Sequence, residues 1–552
     1  MASRLVRSVI LATNIAVVTS AQAPPRDAPS PAPAGTATVR GRVSAAETSK
    51  PLRRAQIKLT SPALGPDGRT VSTDADGGYE FTELPAGRYT LTVSRSGYLP
   101  LRYGQRRPLE QGKPLQLVDH QVMEHVDIAL PRMGAITGRI TDELGEPFAG
   151  VTVFAMRSAL WDGRRRLVPA GPAGRTDESG EYRLAGLAPG PYVVMARSAE
   201  KWTVGAGGRE ETMAYGPTYF PSTTSPADAK RIAVRSGQEA GSTDFPLIPG
   251  RAAKISGTAV TSQGRPLATV MLVQETLGPS GGFVGMAGSA AVGADGSFTI
   301  RNVPPGEYKL QAAKDQESIV MPVVVDGTDL DNVGLTASSG WSVSGKVTTD
   351  AGTPPGIPRA GVRIVARSLA VNGMGMAQSS PAGRPLIKDD WTFFAPGTPG
   401  PARLVVSLPE GWVVKGVLHD RRDITDTVID LKSGEELAGV QVVITDHVTS
   451  VSGQLSDDDG APLEDGTVMV FAAESTKWFD GSRFVQAVRP DQKGRYHIKG
   501  LPPGEYLAVA VTYVEDGMWS HPEYLESLRQ HAQKLTLGDG EARTISLKLV
   551  TP

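Results

Sequence analysis

Short runs of alternating apolar and polar residues recur along almost the whole chain, the period of a half-buried β-strand. The clearest lies at 491–506. Asp491-Gln492-Lys493-Gly494 reads as a turn, because Asp and Gly tolerate the backbone that a tight reversal needs. Tyr496 and Ile498 then alternate with Arg495, His497 and Lys499, and Pro502-Pro503-Gly504 turns the chain into a second strand opened by Tyr506. The pattern recurs three times, at Asp76-Gly77-Gly78-Tyr79, at Gly180-Glu181-Tyr182 and at Asp295-Gly296-Ser297-Phe298. The paired aromatics keep one separation: Tyr79 and Tyr89, Tyr182 and Tyr192, Phe298 and Tyr308, Tyr496 and Tyr506. A spacing held while the intervening letters change is a structural repeat.

Each repeat is preceded by a short strand bearing Gly, centred on Gly41, Gly138, Gly257, Gly345 and Gly453. Most units also close alike, at 126–131, 244–247 and 545–549. These signals predict an all-β chain: a tandem array of about five Greek-key β-sandwich modules. The expected boundaries are 38–131, 132–250, 251–338, 339–447 and 448–552. Module four is degenerate, its turn Phe393 to Gly400 having lost the aromatic spacing. One helix is expected, in the last module. Ser520 and Glu523 form its capping box, Pro522 lies in its first turn, and Tyr524, Leu525 and Leu528 make its apolar face. Short connections, such as that between Pro131 and Ile136, predict limited bending between modules.

Lys plus Arg number 57 against 58 Asp plus Glu, which leaves no basic surplus for a nucleic-acid partner. The absence of Cys excludes disulfides, thiolate metal sites and a Cys nucleophile. Residues 1–23 read as an export signal: Arg4 and Arg7 lead a broken apolar run too short to span a bilayer, and Ala21-Gln22-Ala23 offers a small-x-small cleavage site. Residues 24–37 read as a Pro/Ala-rich disordered spacer. The mature chain, without a transmembrane segment, is expected in the periplasm, on the cell surface or secreted.

The Gly-bearing opening strand, the turn and the hairpin with its Pro-Gly reversal together resemble the carboxypeptidase regulatory-like domain. Two further stretches support the resemblance, Arg102-Tyr103-Gly104-Gln105-Arg106-Arg107-Pro108 and Tyr215-Gly216-Pro217-Thr218-Tyr219-Phe220-Pro221, as does the last module with Trp478, Ser482-Arg483 and Arg489-Pro490-Asp491. The resemblance implies a transthyretin-like (prealbumin-like) sandwich, close to the starch-binding-like fold, in an exported bacterial multi-module protein. It implies no catalysis, since in the namesake enzymes this domain accompanies the catalytic one. It leaves spacer, glycan-binding and peptidase-partner roles open, and fold alone does not choose among them.

No His is placed for the His-Glu-x-x-His zinc pattern; the nearest approach is His120 and His125 with Glu124. Gly278-Pro279-Ser280-Gly281-Gly282 matches the nucleophile-elbow letters but lacks the helix that motif requires. No catalytic residue or resident cofactor is expected. Clustered carboxylates at Asp457, Asp458, Asp459 and Asp465 offer a candidate Ca²⁺ loop, against the simpler reading in which Asp serves its own turn. Aromatic residues off the strand pattern, Trp161, Trp202, Trp478 with Phe479, and Trp519, are candidates for stacking on a sugar, or for plugging the end of a sandwich. The expected protein is therefore a non-catalytic binding or structural one, its partner a polysaccharide or a cell-envelope protein, with an unassigned hydrolase as the alternative.

Overall fold

The computed structural model describes residues 35–106, 110–161, 164–206, 209–278, 281–315, 317–369, 386–398, 400–457, 459–515 and 517–550. The expected export signal and nearly all of the spacer lie outside them. Among the described residues the regular elements are β-strands, apart from short 3-10 turns and one α-helix, Pro522–Leu528. Buried side chains gather into five main cores in chain order, drawn from residues 37–130, 136–247, 253–337, 341–444 and 451–547. The array is thus all-β and tandem, with each core enclosed by strands of its own stretch.

One device repeats in modules one, two and five. The opening strand Ala37–Ala45 pairs antiparallel with Gly78–Leu84, setting Gly41 opposite Tyr79, and parallel with the closing strand Ile128–Leu130. Just before that closing strand the Val126 carbonyl leans over Gly41, where an added Cβ would lie 2.1 Å from its oxygen. The Tyr79 hydroxyl donates to the same oxygen at 2.7 Å. In module five the Ile545 carbonyl crosses Gly453, a Cβ there would lie 1.6 Å away, and Tyr496 donates at 2.7 Å. Tyr182 does the same for Thr243 in module two, at 2.8 Å. A buried carbonyl needs a donor, and the first aromatic of the pair supplies it. Burial raises the pKa of all three hydroxyls well above the ordinary tyrosine value, so they remain donors. Modules three and four have Phe298 and Phe393 at that place: the Val333 and Val440 carbonyls still cross Gly257 and Gly345, but with no tyrosine hydroxyl beneath them, and the closing strands Leu330–Thr336 and Glu436–Thr445 pair on through a register shift.

The second aromatic fastens the Pro-Gly turn. Tyr89, Tyr192, Tyr308 and Tyr506 each donate to a turn carbonyl, those of Pro85, Ala188, Pro304 and Pro502. The acidic turns bind their own backbone: Asp74 accepts from the Asp76 and Gly78 amides, and Asp491 from those of Lys493 and Arg495.

Three expectations change. The helix is capped by His521 and not Ser520, whose hydroxyl instead donates to the Gly517 carbonyl within the 3-10 turn Met518–Ser520; Leu525 and Leu528 are buried as expected. Phe393, read as part of a degenerate turn, lies in strand Thr392–Pro396 opposite Gly345, the pairing that the other modules show. Nor do the short connections hold the modules in line: module five packs back onto module one. There the Arg489 guanidinium donates to the Gly104 and Gln111 carbonyls at 2.6 and 2.9 Å and meets the Glu110 and Asp465 carboxylates, each at 3.3 Å. Lys113 reaches Asp465 at 2.5 Å. Both cations are almost wholly buried.

Candidate functional site

A cleft of about 600 Å³ lies between modules four and five. One wall comes from the strand pair Arg363–Ser368 and Ala402–Ser407. Ile364, Ala366, Ala402, Leu404 and Val406 face the core, and strict alternation puts Arg367 and Arg403, opposite each other in register, on the outer face. Val414, Val417, Thr425 and Asp426 form the second wall, and module five adds Phe479, Asp480 and Arg483.

The charges in the cleft are unequally satisfied. Arg367 pairs with Asp480 at 2.8 Å, and Arg483 pairs with Asp426 at 2.8 Å while donating to the Val414 carbonyl at 2.6 Å. Arg403 stacks on Phe479 with its guanidinium carbon 4.0 Å from the ring centroid, and its Nε donates to the Asp426 carbonyl at 3.2 Å. Among the described residues it has no carboxylate partner. Burial pulls its pKa down; the Asp426 charge opposes that and Arg367 adds to it. It stays charged, since arginine starts so high. Arg403 is thus a half-buried cation beside a second one, with aliphatic walls around it.

Of the candidate ligand-binding aromatics named from the sequence, this cleft gathers Trp478 and Phe479, and Trp161, Trp202 and Trp519 are not among its lining residues. Trp478 is only 4% exposed: its Nε1 donates to the Ala472 carbonyl at 2.7 Å, Phe471 meets its ring edge-to-face, and Arg529 covers it. That is the plug geometry, and it leaves no ring face for a sugar. Phe479 is half-buried with one face under Arg403. Trp519 is half-buried against the apolar cluster beneath the helix, and Trp202 packs on Tyr215 in module two. Trp161 ends strand Thr152–Trp161, its side chain outside the described residues.

Asp458 also lies outside them. Asp457 accepts the Ala461 amide at 2.7 Å, closing its own turn, and Asp459 is exposed. Asp465 is held by Lys113, Arg106 and Arg489. Burial pushes its carboxyl pKa up, but the Lys113 hydrogen bond and the three cations outweigh this and hold it below the ordinary value. Among the described residues no three His, Asp or Glu side chains gather as a metal site. His120 and His125 are both exposed. Gly278 and Gly281 end two paired strands, so the elbow-like letters fall in a hairpin, with Ser280 outside the described residues.

A second pocket of about 570 Å³ lies between modules one and five, lined by Arg88, Gln116, Gln454, Arg495, His497 and Thr544 among others. Burial, Lys499 and Arg88 all lower the His497 pKa.

Sequence reasoning missed Arg367 and Arg403 as site residues. Arginine alternating with aliphatics, in Arg363-Ile364-Val365-Ala366-Arg367 and Arg403-Leu404-Val405-Val406, was the available signal, and it reads equally well as an ordinary solvated strand face.

No curated protein matches the chain. Solved structures with similarity include the Bacillus anthracis TIE protein, at 11% identity over 90% of this chain and 68% of that one, with a TM-score of 0.14. The minor pilin of Streptococcus agalactiae matches at 12% identity, covering 38% of this chain and 95% of its own, with a TM-score of 0.22. A Pseudomonas aeruginosa protein described as a candidate carbohydrate binder matches at 16% identity over 20% of this chain and 87% of its own, with a TM-score of 0.14. Scores this low describe no shared arrangement of whole chains. The carboxypeptidase regulatory-like domain matches at residues 38–130 and 135–208. With the Gly and the tyrosine of the device present in both stretches, the first two modules carry the carboxypeptidase regulatory-like domain.

Proposed function

We propose that this chain is an exported, non-catalytic binding protein of the cell envelope, with its ligand site in the cleft between modules four and five. The observation that carries this reading is Arg403: a half-buried guanidinium with no carboxylate partner among the described residues, in a partly enclosed cleft, is a place where an anionic group gains more than it would in water. Five cores joined in series supply a frame that holds the two walls. Two of the cleft's hydroxyls serve the fold, Thr425 donating to Asp423 within its own turn and Ser520 to the Gly517 carbonyl, which supports binding over nucleophilic chemistry. No helix among the described residues is long and apolar enough to cross a membrane. The second reading is a saccharide ligand, favoured by the half-buried ring of Phe479 on the cleft wall.

The test is a binding screen of the chain from Pro24 against soluble and insoluble polysaccharides and peptidoglycan, with Ca²⁺ and with chelator. Wild type is compared with Arg403→Ala and Phe479→Ala. Saturable binding weakened at least about tenfold by either variant supports the cleft. Binding that survives both unchanged moves the site elsewhere.

A further inference from the structure

In four of the five modules the second hairpin strand is paired along both edges. Gly87–Ser94 lies between Gln56–Thr60 and the strands Leu101–Arg102 and Leu115–Leu117. Gly190–Arg197 is flanked on one side by Thr152–Trp161 and on the other by Thr218–Tyr219 and Ile232–Val234. Gly306–Lys314 lies between Thr269–Gly278 and Glu317–Val325, and Gly504–Val511 between Thr467–Ala472 and Gln533–Leu537. In module four the equivalent strand, Ala402–Ser407, has among the described residues a strand partner on one edge alone, Arg363–Ser368. The cause is local: the next strand, Val413–His419, joins the opposite sheet by pairing with Glu436–Thr445.

Backbone parity shows which groups are left over. The Ala402 amide and carbonyl both bond to Ile429, an isolated bridge on the far edge. Leu404 and Val406, two and four residues on, direct their amides and carbonyls the same way. Neither has a partner among the described residues. Strand edges are ordinarily blunted by charged side chains, Pro, shortness or a cover. This one is six residues long, contains no Pro and a single charge, Arg403, keeps Val405 37% exposed, and runs along the cleft of about 600 Å³.

We propose that the free edge of Ala402–Ser407 accepts an extended peptide strand from a protein partner, one that places a carboxylate against Arg403. Backbone pairing to Leu404 and Val406 would give affinity, and the flanking pockets specificity, as in other strand additions. The charge selects the occupant. A second copy offering the same edge would set Arg403 and Arg367 against their own equivalents, whereas an acidic strand neutralises Arg403 without displacing Asp480 or Asp426 from theirs. The inference rests on the cleft being the binding site, and it names a peptide where a sugar was the second reading.

The test uses the full chain and a fluorescein-labelled peptide, Thr-Val-Glu-Val-Glu-Val-Thr, read by anisotropy and by amide hydrogen exchange at Leu404 and Val406. Saturable binding is expected, with slowed exchange at both amides. A peptide N-methylated at alternate residues on its pairing edge, and one with Lys for both Glu, should each bind at least about tenfold more weakly. Arg403→Glu should lose a similar factor with an unchanged thermal transition. An N-methylated or Lys peptide that binds as well as the parent overturns the proposal. If no peptide binds but polygalacturonate does, and loses binding in Arg403→Glu, the cleft stands and the strand acceptor falls. If neither binds, both fall. A chain that protects Leu404 and Val406 only at concentrations where it dimerises also overturns it, in favour of a second copy.

Discussion

Replacing Tyr79 by Phe removes one oxygen and little else, since the ring stays buried at 7% exposure against Phe81. What changes is the Val126 carbonyl, which accepts from that hydroxyl at 2.7 Å and leans over Gly41, where no side chain can move in to replace the donor. A buried acceptor stripped of its donor costs about 1–3 kcal/mol. With roughly 1.4 kcal/mol to each factor of ten, local opening of the closing strand Ile128–Leu130 should become about tenfold more frequent. Native-state hydrogen exchange reads this strand by strand, which suits a chain of several cores where one global midpoint would mix them. Tyr496→Phe should do the same at Leu547–Val550. Modules three and four are internal controls, because Phe298 and Phe393 already stand at this place, with no hydroxyl to lose, where the Val333 and Val440 carbonyls cross Gly257 and Gly345. If exchange in both closing strands is unchanged in both variants, the carbonyls are satisfied in some other way and the account of the paired aromatics is wrong.

Three further outcomes are expected. Arg489→Ala removes a buried guanidinium that meets Glu110, Asp465 and two carbonyls, a change of about 3–5 kcal/mol for a buried pair, so the first and last modules should part and the radius of gyration by small-angle scattering should rise; an unchanged radius contradicts the packing. Asp465, held below the ordinary carboxyl value of 3.8, stabilises the same contact above that pH, and the stabilisation is lost as pH falls through its lowered folded value; expansion on acidification should therefore begin below about pH 4, and in Asp465→Asn this acid-induced step should disappear. Trp478→Ala empties a plug and should destabilise module five by about 3–5 kcal/mol in urea unfolding, whatever the ligand.

The repeat was legible because alternation and turn chemistry are local, and the aromatic spacing marked the hairpins correctly. Why those positions are aromatic was not legible, since the oxygen that Tyr79 serves belongs to Val126 and the one that Tyr496 serves to Ile545, each a strand crossing away. The Gly of each opening strand makes sense only once that carbonyl is in place. Trp478, off the strand pattern, suited a platform and a plug equally, and the bond from its Nε1 to the Ala472 carbonyl decides for the plug. The acidic loop illustrates the opposite difficulty: Asp465 is grouped in sequence with Asp457, yet its partners Arg106 and Lys113 belong to the first module. Nothing short of the fold could have joined them.

The contact between the first and last modules also bears on assembly during synthesis. Module one is complete, with its receiving face and Lys113 and Glu110 in place, long before Arg489 has been made. Until then that face lacks the partner it meets in the full chain. The fifth module of another copy presents it with the same chemistry, so dilution favours the chain that closes on itself and crowding favours copies that exchange their last modules.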